Sequence, residues 1–171
     1  MPDVSEEEDA PDVSEEEDEP DAFERTGDGD AGTVDDTYVA ALQHDLVDVS
    51  AADRLVGVVR RPTRWFSAAV DENRPAVGPP DGLLDEVKER HEALKLRGMC
   101  DEGAHNAAWE EISFEERYRS FLDEDEAARA TLQELADRVR SGEELVLVCY
   151  ENTNKKRCHR TVLKARLEAL V

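Results

Sequence analysis

The strongest hydrophobic pattern lies near the C-terminus. Leu145-Val146-Leu147-Val148-Cys149-Tyr150 is an unbroken apolar run, short and rich in β-branched residues. Such a run predicts a strand buried on both faces. Glu151 to Lys156 is polar and reads as a loop. From Cys158 to Leu170 the apolar positions Leu163, Leu167 and Leu170 fall three and four apart, the spacing of one helix face. Residues 143–171 therefore read as strand, loop and helix, with Cys158, His159 and Arg160 at the loop-helix junction.

A second continuous run, Leu55-Val56-Gly57-Val58-Val59, predicts another buried strand, stopped by Arg60-Arg61-Pro62. Val39, Leu42 and Leu46 suggest a short helix within Val34 to Leu46. Residues 71–80, with Pro75, Gly78, Pro79 and Pro80, read as a loop. Leu83, Leu84, Val87, His91 and Leu94 predict a helix to Arg97, stopped by Gly98. Residues 99–108 read as irregular. Ser113-Phe114-Glu115-Glu116 is a capping-box pattern opening a helix through Leu122. Leu132, Leu135 and Val139 share one face of a further helix from Glu124 to Arg140. Two buried-type strands among several helices predict an α/β domain, with a small, mostly parallel sheet and flanking helices, over residues 33–171.

Charge separates the first residues from the rest. Residues 1–36 hold 17 acidic residues and one basic residue, a net of −16 within a chain total of −22. Residues 2–10 and 11–19 repeat PDVSEEED, a nine-residue duplication. Dense like charge with few apolar residues predicts a disordered acidic tail over residues 1–32. Residues 37–171 carry 15 Arg and only five Lys. That balance resembles haloarchaeal cytoplasmic proteins, whose high charge is screened in concentrated salt. The acidic N-terminus has no apolar stretch, which predicts no signal peptide. No run approaches the roughly 18 apolar residues of a membrane span. Three cysteines are too few for a disulfide framework and fit a reducing cytoplasm.

The C-terminal segment LVLVCYE…KRCHRTVLKARLEAL resembles the signature of the YeaO-like family, also called domain of unknown function 488. Trp109-Glu110-Glu111 with Phe114, Arg117 and Tyr118 is similar to that family's tryptophan and Phe-Arg-Tyr helix. The run VVRRPTRWF resembles its first strand, ending in arginine and proline. The likeness covers about residues 54–171. It implies an α/β fold of Rossmann-like layering and no established reaction. Family members commonly carry Asp two positions before the strand-ending arginine. Aligned on Arg60, that position here is Val58, so no role for that carboxylate carries over.

Several chemistries are open to these residues. A strand-loop-helix junction offers free backbone N–H groups and a positive dipole end, a setting for an anion. Lys155, Lys156, Arg157 and Arg160 add charge there. The same setting lowers a thiol's pKa, which makes Cys158 the candidate nucleophile or redox group. If the two strands are parallel neighbours, their C-terminal ends meet. Arg60 and Arg61 would then share a crevice with Cys149, Glu151, His159 and Arg160. Glu151 is placed to orient Arg160, to act as a base or to form a salt bridge. Tyr118, Trp65 and Phe66 are expected in the core. A cysteine-phosphatase loop needs Cys, five residues, then Arg; six positions after Cys149 stands Lys155.

These features point to an anionic, phosphate-like ligand at the strand ends, with thiol-dependent chemistry at Cys158. One alternative is a non-enzymatic nucleic-acid-binding module, suggested by arginines interleaved with aromatics. The other is a metal-binding structural domain, using ligand types such as Cys100, His105, Cys149, Cys158 and His159. No cofactor is identified by the sequence.

Overall fold

In a computed structural model, residues 30–151 and 155–171 are described. The expected tail disorder at residues 1–29 and loop residues 152–154 lie outside them. Residues 30–32 join the body: Gly32 N–H donates to Val139 O at 2.7 Å.

Four strands form one parallel sheet in the order β1-β4-β2-β3: β1 (Val34–Tyr38), β2 (Asp53–Gly57), β3 (Glu72–Asn73) and β4 (Glu144–Cys149). β4 pairs with β1 in the register Tyr38 to Cys149 and with β2 in the register Gly57 to Val148. It therefore occupies the middle of the sheet, and Leu145 to Cys149 are buried, as an apolar run requires. Seven α-helices occur among the described residues: α1 (Val39–Gln43), α2 (Arg64–Ala69), α3 (Asp81–Leu96), α4 (Asp101–Glu111), α5 (Phe114–Glu124), α6 (Glu126–Arg140) and α7 (His159–Leu170). None is long and apolar enough to cross a membrane. The α/β class and the parallel sheet are as the apolar pattern predicts.

Several local expectations need correction. The short helix within Val34 to Leu46 is confined to Val39–Gln43, and the five residues before it are β1, a strand the pattern did not predict. Asp35 and Asp36 hid that strand by interrupting its apolar run. Residues 71–80 contain the two-residue β3 and a 3-10 turn at Pro75–Val77. The segment read as irregular holds the start of α4, whose buried side chains, Ala104, Ala108 and Trp109, are mostly small. Ser113 does not cap α5. It is left-handed at φ 54°, forming a tight link from α4, and its side chain makes no cap bond. A capping residue needs extended backbone instead. Asp125 does cap α6, accepting from Ala128 N–H at 2.9 Å.

The core gathers around β2 and β4. Phe66, Val56, Val58, Leu145, Leu147 and Leu163 are buried there. Gly57 is required by close packing: a Cβ would lie 2.6 Å from Asn73 Oδ1 and 2.7 Å from Phe66 Cε1. Asn73 uses that space to bridge the Val59 backbone, accepting from its N–H at 3.2 Å and donating to its carbonyl at 2.9 Å. Tyr118 is fully buried with its hydroxyl donating to Val77 O. Trp65, expected in the core, is 47 % exposed, because α2 turns only Phe66 inward.

Candidate functional site

β2 and β4 run side by side in the same direction, so their C-terminal ends open at one edge. The pairing continues one step past β2, with Val58 N–H donating to Val148 O at 3.0 Å. Helix α7 begins at that edge. Its first residue, His159, has Nε2 at 2.7 Å from Val58 O. A carbonyl only accepts, so Nε2 carries the proton and Nδ1 is bare. That bare nitrogen lies 3.7 Å from Cys158 Sγ. Burial and the neighbouring Arg160 charge lower the His159 pKa to about 4, with the Val58 bond opposing them. The imidazole is neutral at pH 7.

Two thiols meet here. Cys149 closes β4, Cys158 precedes α7, and their sulfurs are 2.7 Å apart. Both are reduced and buried. Arg160, 1 % exposed, lies beneath them. Its Nη1 is 3.3 Å from Cys149 Sγ and 3.2 Å from Glu151 O, and it also donates to Thr37 O. Its Nε donates to Asp36 Oδ2 at 2.7 Å. A buried guanidinium needs such compensation, because leaving its charge unpaired costs several kcal/mol.

The two thiols shift in opposite directions. Burial pushes the Cys149 thiol up, but the hydrogen bond shared with Cys158 and the Arg160 charge together pull it below the ordinary thiol value. Cys158 moves the opposite way: burial raises its pKa well above that value, and sharing a proton with Cys149 raises it further. The lowered pKa expected for Cys158 therefore belongs to Cys149. Cys158 is 4 % exposed and lies against the other sulfur, so the open helix-end environment it was expected to enjoy does not apply.

Both thiols line a cavity of about 340 Å³ at this edge. Its wall also carries Arg60, Arg61, Glu151 and His159, six of the seven site residues expected from sequence. Arg160 is not among the lining residues and instead supports Cys149 from behind. Arg60 is held by Pro79 O (Nε, 3.0 Å) and Gly78 O (Nη2, 2.9 Å), with its guanidinium over Phe121. It forms no ion pair with a carboxylate among the described residues. Gly78 allows this approach, since a Cβ there would lie 2.6 Å from Arg60 N. Arg61 turns outward to Asp81 and Asp85. The Glu151 carboxylate lies 3.7 Å from Lys156 Nζ, the salt bridge considered for it, while its carbonyl orients Arg160.

Sequence reasoning missed the contribution of α4. Asn106 holds the basic segment, donating to Lys155 O at 3.1 Å and accepting from Arg157 N–H at 3.0 Å. His105 Nε2 donates to Arg157 O at 2.7 Å. Trp109 lines the cavity beside Phe114, and its buried indole N–H has no partner among the described residues. The Ala104 and Ala108 spacing after Asp101-Glu102 was the available signal for this helix. Asp36 was missed with β1. Among the described residues, no three of His, Cys, Asp or Glu are grouped so as to hold a metal ion.

The family model described as "Active DUF488-N3 subclade" matches residues 43–170, a span that includes every cavity-lining residue named above. No curated protein and no solved structure matches the chain. The parallel sheet and the matched span agree with the resemblance carried by the CHR segment, and the chain belongs to the family of domain of unknown function 488.

Proposed function

We propose that this protein binds a small organic anion in the cavity at the strand ends and acts on it through the Cys149 thiolate. The observation that carries the reading is the apposition of Cys149 and Arg160 beneath a cavity whose wall holds Arg60. A guanidinium stabilises the reactive form of the sulfur. A second one, with no carboxylate partner among the described residues, is available to grip phosphate or carboxylate. Lys88 adds a further cation to the wall, while Leu84, Val87 and Trp109 suit an apolar or aromatic body.

Each residue then has a role. Cys149 is the nucleophile, and Cys158 donates a hydrogen bond to its thiolate. Arg160 is a positioning residue that acts through Cys149. Arg60 binds the anion. A small ligand fits better than a nucleic-acid strand, because the outer cations are already paired: Arg61 with Asp81 and Asp85, Arg157 with Glu110, Lys156 with Asp101. Polyanion binding needs many free cations along a surface.

Protection from alkylation tests this reading. Phenyl phosphate and inorganic phosphate should slow the reaction of Cys149 with iodoacetamide, phenyl phosphate at the lower concentration. Arg60→Ala should raise the protecting concentration roughly tenfold, the loss of one charged hydrogen bond. Equal labelling with and without both anions would contradict the reading.

A further inference from the structure

Cys158 is more than a donor to its neighbour. Its sulfur lies 2.7 Å from that of Cys149, in direct contact, on a separate element and with a bare imidazole nitrogen beside it. Nucleophilic attack on a bound ligand needs one sulfur. A second one in contact is what two-electron oxidation needs.

We infer that Cys149 and Cys158 form a dithiol–disulfide couple, by which a hydroperoxide converts this pocket from a thiolate to a disulfide. The inference rests on the proposed role of Cys149 as the nucleophile.

The geometry supports each step. Both sulfurs line the cavity, so an oxidant that enters it reaches them although each residue is buried. The Cys149 thiolate attacks the terminal oxygen of a hydroperoxide. The O–O bond breaks, the alkoxide leaves and takes a proton from solvent, and Cys149 becomes a sulfenic acid. The Cys158 sulfur then attacks the Cys149 sulfur. The S–O bond breaks, and hydroxide leaves as water with the thiol proton, passed through His159 Nδ1. Two thiols have lost two electrons, and the hydroperoxide has become an alcohol and water. A sulfur–sulfur bond is about 2.05 Å long, so closing the present 2.7 Å separation needs a sub-ångström approach. Reduction by an external dithiol restores the starting state through exchange at the same sulfurs.

The pairing is selective within the chain. Cys100, the third cysteine, is exposed at the start of α4, where its sulfur accepts from Gly103 N–H at 3.3 Å. Its only role in the test is as an internal control.

The experiment treats the reduced full-length protein with one equivalent of hydrogen peroxide and maps the cysteine peptides by mass spectrometry. The expected product is a Cys149–Cys158 cross-link, reversed by dithiothreitol, with Cys100 still free. In Cys158→Ser, a sulfenic acid should persist on Cys149 and be trapped by dimedone. Over-oxidation of Cys149 in the unaltered protein without a cross-link would overturn the couple, and so would cross-links through Cys100. The unaltered protein gives that answer even if the variant does not fold. Residue-resolved iodoacetamide labelling of the reduced protein separates the two readings. Fast labelling of Cys149 without a cross-link on oxidation removes the couple alone, whereas slow labelling of Cys149 removes its role as nucleophile.

Discussion

Arg160 faces two groups that can carry negative charge, the Asp36 carboxylate and the Cys149 sulfur. Asp36→Asn keeps the shape and removes one of them. The variant should lose about 3 kcal/mol of stability in urea denaturation, because a buried guanidinium loses its main counter-charge. At the same time the Cys149 thiol should become more acidic, since the full Arg160 charge then falls on it. A purely structural role for the pair would move stability and leave the thiol unchanged. His159 gives a second residue-level prediction. Its folded pKa, about 4, is below the unfolded value of about 6.5. The unfolded chain therefore binds the proton first as pH falls. The stability linked to this neutral imidazole is fully present above pH 6.5 and is lost between there and about pH 4, on the order of 3 kcal/mol in total. An NMR titration of the His159 ring should show its midpoint near 4; a midpoint near 6.5 would remove the effect.

Between elements, the site depends on close approaches that no side-chain pattern reveals. Gly78 lets the 3-10 turn reach the Arg60 backbone, and its carbonyl holds the guanidinium. Gly78→Ala should cost about 2 kcal/mol in denaturation and weaken phosphate protection of Cys149 by displacing Arg60. Normal protection in a destabilised variant would show that Arg60 does not need this turn. Such contacts explain which parts of the fold were legible. β4 announces itself by an unbroken buried apolar run and α7 by apolar positions spaced along one face, and the parallel pairing of β2 with β4 joins the two apolar runs of the chain. β1 does not, since its two aspartates break the apolar run and one of them, Asp36, serves Arg160 rather than solvent. α4 does not either, because it packs through alanines and one tryptophan. The site was legible as a location for the same reason. Six of its expected residues share the cavity because they lie at or beyond the C-terminal ends of two predicted strands. Which sulfur lies against the guanidinium was not legible: Arg160 meets Cys149 through a tertiary contact made from the start of α7.

Across the whole chain, the net charge of −22 acts alongside the packing. Self-repulsion is felt over about 10 Å at 0.1 M salt and about 3 Å at 1 M. The melting temperature should therefore rise from dilute buffer to molar KCl, and equal values would remove this effect of charge. Against that acidic background, the cavity concentrates Arg60, Lys88, Lys156 and Arg157 around two thiols. The proposed chemistry rests on Cys149 being the more acidic sulfur of the pair. The most direct measurement is the rate of iodoacetamide alkylation at each cysteine across pH, read by peptide mass spectrometry on the reduced protein. Cys149 should react first, with a midpoint below the ordinary thiol value of about 8.5, while Cys158 stays slow until much higher pH. Faster alkylation of Cys158, or a Cys149 midpoint at or above that value, would contradict it.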